Sequence, residues 1–203
     1  EGLGVKYQIV AIEREYATGG REIGKTIAEK MQIPCYGGEV LQMAAKQIGI
    51  DPENVEHMDE KAPNSLLYSL AAMARPITFG NGALPQENIL QQKEAETIYR
   101  LAEQGRCVFV GHRAGAVLRK RQDVLRVFIH ADMDFRLQRA INCYQIPPHH
   151  AESVLKRCDR QRADYYRFYT TQNWDDVEMY PLVLDSGKLG LERCVNIILA
   201  ALE

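Results

Sequence analysis

Apolar residues along this chain fall into two kinds of run, and the two alternate. The first kind is short, continuous and rich in β-branched residues: residues 6–12 (KYQIVAI), 106–111 (RCVFVG), 124–131 (VLRVFIHA) and 181–186 (PLVLDS). Runs of this length, bounded by charge or by turn residues, predict buried strands. The second kind recurs at helical spacing. Ile23, Ile27, Ala28 and Met31 predict a helix over residues 20–32, stopped by Pro34. The same periodicity predicts that residues 37–105 are mostly helical. "GEVLQMAAKQIGI" and "NSLLYSLAAMAR" carry it, "PITFGNGALP" is a loop, and "QENILQQKEAETIYRLAEQG" is a long helix capped by Gly105. A helix over "FRLQRAINCYQI" follows. Another opens at Pro147 and Pro148 and runs to about Thr171, and "LGLERCVNIILAALE" closes the chain. Strands alternating with helices imply a parallel sheet covered on both faces. No repeat and no low-complexity segment interrupts the pattern.

Composition narrows the class. The 203 residues, 46% of them hydrophobic, are enough for one domain with a proper core. A net charge of −2 supplies no basic field for nucleic acid. No apolar run reaches the ~18 residues of a membrane helix, and no signal peptide is visible near the start. The chain opens on Glu1 and not on methionine, so the native start is expected upstream. The five cysteines (Cys35, Cys107, Cys143, Cys158 and Cys194) are scattered singly, which fits reduced thiols in a cytoplasm. His149 and His150 have no carboxylate or cysteine at ligand spacing and are read as surface residues, not metal ligands.

The candidate chemistry begins after the first strand. "ATGGREIGKT" contains Gly-x-x-x-x-Gly-Lys-Thr, the string of a phosphate-binding loop, between a strand and a helix as that loop requires. Backbone N–H groups at such a helix start cradle phosphate oxygens. Two registers are open. In the literal one, Lys25 and Thr26 serve phosphate and Mg²⁺. In the other, the cradle spans residues 16–22, with Thr18, Gly19, Gly20, Arg21 and Glu22 at its centre, and Arg21 or Arg14 supplies the cation. The helix start near Gly20 favours the second, because it buries Lys25 and Thr26 more than a turn inside the helix.

A further cluster, "LKRCDRQRADYYRFY", gathers Lys156, Arg157, Arg160, Arg162 and Arg167 beside Asp159. Phosphoryl transfer needs such cations round the migrating group, and a mobile lid brings them in and expels water. A solvated helix with internal ion pairs is the plainer alternative. His112 and Arg113 directly follow a strand, at the end where open α/β sheets bind ligands. The aromatic residues Tyr165, Tyr166, Phe168 and Tyr169 are expected to pack the lid, and Trp174 to form a structural corner.

"REYATGGREIGKTIAEKMQIPCY", with "CVFVG", "LRVFIHA", "DRQRADYYRFYTTQNW" and "PLVLDSGKLGLERCV", resembles the cytidylate kinase-like family over nearly the whole chain. The resemblance implies a P-loop, three-layer α/β/α fold with about five parallel strands, the fifth seeded at residues 34–36. It implies one kinase domain with a helical acceptor-binding part at about 37–105 and an arginine-bearing lid at about 145–172. It also implies ATP and Mg²⁺ as cofactors and a nucleotide acceptor. By the same resemblance, Asp159 and Arg162 match an Asp-x-x-Arg that contacts the acceptor, and Arg157 and Arg160 are the transition-state candidates, with Arg21 beside them at the loop. Three places depart from the family pattern. Ala17 and Thr18 replace Gly-Ser, Gly37 replaces an Asp, and His112 to Gly115 replace Arg-Cys-Ala-Asp. The last two lie where the family holds its acceptor, so a regulatory nucleotide-binding protein and a kinase of another small molecule stay open. The helices of residues 37–80 are a candidate homodimer surface.

Overall fold

The computed structural model describes residues 7–51 and 86–202. Its centre is a five-stranded, all-parallel sheet in the order β2-β3-β1-β4-β5. The strands are β1 (Ile9–Arg14), β2 (Cys35–Tyr36), β3 (Cys107–Val110), β4 (Val124–His130) and β5 (Leu182–Asp185). The expected fifth strand is β2, which pairs Cys35 with Val108 and Tyr36 with Phe109.

The helices are α1 (Gly20–Met31), α2 (Glu39–Gln47), α3 (Gln86–Glu103), α4 (Ala114–Val117), α5 (Met133–Asn142), α6 (Pro148–Thr170), α7 (Ser186–Leu189) and α8 (Leu191–Ala201). They cover both faces of the sheet, which is why its strands read as continuous apolar runs. Val10 and Ile12 of β1 pack with Ile23 and Ile27 of α1 and Val195 and Ile198 of α8. Ile9 and Ala11, pointing the other way, pack with Ile98 and Leu101 of α3 and Leu118.

Several boundaries differ from the sequence expectation. β1 runs on to Arg14, which shortens the connection before Gly19. A short helix, α7, that the sequence did not suggest precedes the final helix α8, and Gly190 (φ 78°, ψ 155°) separates the two. Trp174 is a corner as expected: it is buried edge-on against Phe128, with Tyr180 on the same cluster. The helical run NSLLYSLAAMAR and the loop PITFGNGALP lie outside the described residues, as does much of the candidate dimer surface.

β1 is central, with β3 on one side and β4 on the other. The carboxyl ends of these three strands therefore open on one edge, the edge where a doubly wound sheet takes its ligand.

Candidate functional site

The chain leaves β1 at Arg14, turns through residues 15–19 and enters α1 at Gly20. Ala17 (φ 63°) and Gly19 (φ 82°) both adopt left-handed backbone, which curls the loop onto the helix start. The loop is clamped from outside. Tyr16 N–H donates to Asp159 Oδ1 of α6 at 2.7 Å, and Arg136 of α5 bridges Asp159 Oδ2 (2.5 Å) and the Tyr16 carbonyl (3.4 Å). Ser186 Oγ donates to the Thr18 carbonyl at 2.8 Å, and the Thr18 hydroxyl donates to the Glu15 carbonyl at 2.9 Å. Arg139 holds Glu22 at 2.7 Å. Arg162 donates to the Arg14 carbonyl at 2.9 Å and lies 5.5 Å over the Tyr16 ring.

While its carbonyls and side chains are held, the inner side of this turn is not. Gly19 caps α1 without a side chain, and the N–H groups of Thr18, Gly19, Gly20 and Glu22 meet no protein acceptor among the described residues. Unmet donors converging on a helix N-terminus form an anion cradle. The donor set fits a polyphosphate. Lys25 is exposed, and the Thr26 hydroxyl turns back to the Glu22 carbonyl at 2.9 Å. Arg21 and Lys25 share the face of α1 toward β2. Both act on the Cys35 thiol, which burial and Glu39 push up to about 11 against those two cations. No cluster of three or more His, Cys, Asp or Glu suited to a metal occurs among the described residues.

The second part of the site is a buried carboxylate that sequence reasoning missed. Glu94 of α3 is fully buried and accepts three bonds: from Arg113 Nη2 (2.6 Å), from the Tyr165 hydroxyl (2.6 Å), and at His112 Nδ1 (2.8 Å). Burial alone would raise its pKa. The bond to His112, the Arg113 and His112 charges and the Tyr165 bond outweigh burial and bring it to about 2. Arg113, a sequence candidate for the acceptor, is 3% exposed and sandwiched between the rings of Tyr165 (5.0 Å) and Tyr169 (4.7 Å). His112 (φ 59°) and Arg113 (φ 56°) are successive non-glycine residues in left-handed backbone. Such residues cost about 1–3 kcal/mol each and persist only where the surroundings hold them. Here Glu94 holds both. One sequence signal marks it: Glu94 falls on the apolar stripe of α3, at helical spacing from Leu90, Thr97, Ile98 and Leu101.

Glu13 was also missed. It ends the buried part of β1, is 7% exposed, and faces a cavity of about 60 Å³ that Arg126, Tyr166 and Tyr180 also line. Burial raises its pKa against the nearby charges of Arg14, His112, Arg162 and Arg113.

On α6 the charged cluster separates by face. Asp159 and Arg162 turn in to the loop. Arg157 and Arg160 are exposed and make no hydrogen bond or ion pair among the described residues, so the intrahelical pairing found for Lys156 with Glu152 does not extend to them. Gly37, two residues before α2, donates its N–H to Glu39 at 2.8 Å. His149 and His150 are exposed, with rings 4.1 Å apart.

A parallel sheet in this order, with a glycine turn opening a helix at its central strand and a long arginine-bearing helix across the same edge, defines a P-loop kinase fold. The chain belongs to the cytidylate kinase-like family, whose sequence profile matches residues 9–188. Among solved structures it is similar to an uncharacterized protein from Eubacterium ventriosum ATCC 27560, with TM-score 0.71, 22% identity and 96% and 97% of the two chains covered. It is also similar to shikimate kinase from Bacteroides thetaiotaomicron (TM-score 0.54, 12% identity, 96% and 97% covered). A third is a gluconokinase from Sinorhizobium meliloti 1021 (TM-score 0.53, 19% identity, 98% and 92% covered). No curated protein matches. At these identities the solved structures establish the fold alone. No helix among the described residues is long and apolar enough to cross a membrane.

Proposed function

We propose that the protein is an ATP-dependent phosphotransferase of the nucleoside monophosphate kinase type, passing the γ-phosphate of ATP directly to an acceptor phosphate. The observation that carries this is the clamped turn with unmet donors: the N–H groups of Thr18, Gly19, Gly20 and Glu22 meet no acceptor among the described residues, while Asp159, Arg136 and Ser186 fix the backbone from outside. Donors fixed in advance stabilise developing charge without reorganising at the moment of transfer.

In this mechanism, residues 18–22 hold the donor phosphates. Arg157 and Arg160, exposed on the lid helix, approach the migrating group as α6 closes, and a permanently charged, forked guanidinium suits its oxygens. Arg162 and Asp159 keep the loop in register with the lid, so closure and cradle geometry are coupled through one helix. His112, with Gly37 across the edge, is the candidate acceptor contact. Mg²⁺, carried largely by phosphate oxygens and water, would supply charge neutralisation at the β- and γ-phosphates.

One observation favours a second reading. Arg113 is enclosed by Glu94, Tyr165 and Tyr169 and presents little surface to an acceptor. A small-molecule acceptor other than a nucleoside monophosphate is then the alternative within the same reaction class.

The test is ADP release from MgATP with CMP, dCMP, UMP, AMP and GMP in turn. A selective rise with one of them is expected and names the acceptor. Release no greater than the acceptor-free control with all five, from protein that binds MgATP, would overturn the nucleotide-acceptor reading.

A further inference from the structure

The textual motif points to Lys25 as the cation of the phosphate loop, but the space round the loop is occupied by another side chain. Arg14, the last residue of β1, runs back along the turn. A Cβ built on Gly20 would lie 2.8 Å from Arg14 Cγ and 2.9 Å from its Cβ. A Cβ on Gly111, at the end of β3, would lie 2.2 Å from Arg14 Nη1. The space beside two glycines, one at the start of α1 and one at the end of β3, is thus filled by one arginine. Its stem covers the first residue of α1, and its guanidinium lies against the residue before His112. The Arg14 backbone is itself pinned, since its carbonyl accepts from Arg162.

Lys25 sits elsewhere. It is on the solvent side of α1, about 7.5 Å further along the helix axis than Gly20 at 1.5 Å per residue. It shares its face with Arg21, toward Cys35. The Thr26 hydroxyl is bonded within its own helix. Lys25 is exposed and the Thr26 hydroxyl is held by the Glu22 carbonyl, whereas the Arg14 side chain runs from beside Gly20, at the start of α1, to beside Gly111, at the end of β3.

We propose that Arg14, and not Lys25, is the side-chain cation of this phosphate loop, contacting the terminal phosphate oxygens of a bound nucleoside di- or triphosphate. This rests on the reading of residues 18–22 as a phosphate cradle. A guanidinium entering from the strand offers two parallel N–H donors to a phosphate where a lysine offers a point charge. Lying between Gly20 and Gly111, it spans the donor and acceptor sides of the cleft. The two glycines are then explained as the room this side chain needs.

Calorimetric titration of MgATP and MgADP into the wild-type chain, four single variants and the R14A/G20A double variant tests this. R14A should weaken MgATP at least tenfold, and K25A should weaken it less than R14A does. R14K, which keeps charge but loses the fork, should fall between wild type and R14A, and it carries the test if R14A does not fold. G20A removes no charge, yet its new Cβ meets the Arg14 stem. It should weaken binding in the wild-type background and add little in an R14A background, since the two act through one side chain. MgATP affinity in R14A and R14K equal to wild type, or a larger loss in K25A than in R14A, would overturn the assignment. A wild-type chain that binds neither nucleotide would overturn the cradle itself, and this inference with it.

Discussion

Tyr165 on helix α6 donates its hydroxyl hydrogen to Glu94 on α3, 2.6 Å away and 71 positions apart in the chain. The same carboxylate holds Arg113 and His112, so helix α3, the end of β3 and helix α6 meet at one buried charge. A buried carboxylate is costly unless paired and fully bonded. Glu94 is both, and the junction is therefore expected to be stiff while intact and to fail abruptly when one member is lost.

Replacing Glu94 with glutamine leaves Arg113 buried without its counter-charge. Breaking a buried pair in this way costs about 3–5 kcal/mol, and urea unfolding of E94Q should show a loss of that order. The pH dependence follows from the depressed pKa. Glu94 sits at about 2 when folded, against 4.5 unperturbed, so its contribution is fully present above about pH 4.5 and is lost as pH falls toward 2. By linkage that contribution is roughly 3 kcal/mol. Wild type and E94Q should therefore converge in stability at low pH; curves that stay parallel down to pH 2 would contradict the assignment.

Glu13 behaves in the opposite sense. Burial raises its folded pKa, so its neutral form is favoured in the folded state. Stability linked to it is present below the unfolded value and is lost as pH rises through the folded one. E13Q should accordingly melt higher than wild type at pH 7 to 8, with the advantage vanishing below about pH 4.5. Equal melting temperatures across that range would show that the cavity beside Glu13 solvates its charge.

Asp159 is predicted to act on the loop from behind. D159N keeps an acceptor for Tyr16 N–H but removes the charge opposite Arg136, leaving it the Tyr16 carbonyl at 3.4 Å and the Glu15 carboxylate at 3.6 Å among the described residues. A loss of roughly 1–3 kcal/mol in stability is expected, together with weaker MgATP binding as the turn loosens. Binding unchanged in a destabilised variant would separate the clamp from the cradle.

Arg160 should show the reverse pattern. It has no partner among the described residues to lose, so R160A should melt like wild type and bind MgATP nearly as well. Its turnover should fall by about 10³ or more, the scale of a lost transition-state arginine. An unchanged rate would remove Arg160 from the mechanism.

Much of this protein was legible along the chain. The four longer strands, the start of α1 at Gly20 and the long helix between Pro147 and Thr171 are local matters of apolar period, proline stops and turn residues, whereas the short β2 was expected only from the family resemblance. Nearest neighbours in sequence decide those. The loop was recognisable for the same reason, since a glycine turn between a strand and a helix is a local arrangement. The partners inside the site were not. Tyr16 and Asp159 are separated by 143 positions, Thr18 and Ser186 by 168, and Glu94 is unremarkable in its own helix apart from lying on the apolar stripe. Arg14 reads in sequence as a loop residue just past the first strand, one of two candidate cations, and it fills the space above Gly20 and Gly111 only once β3 lies beside β1. Backbone preference is spent within a few residues. Which charge a carboxylate meets, and which glycine an arginine crosses, depends on how the helices pack on the sheet, and packing is set by the whole chain at once.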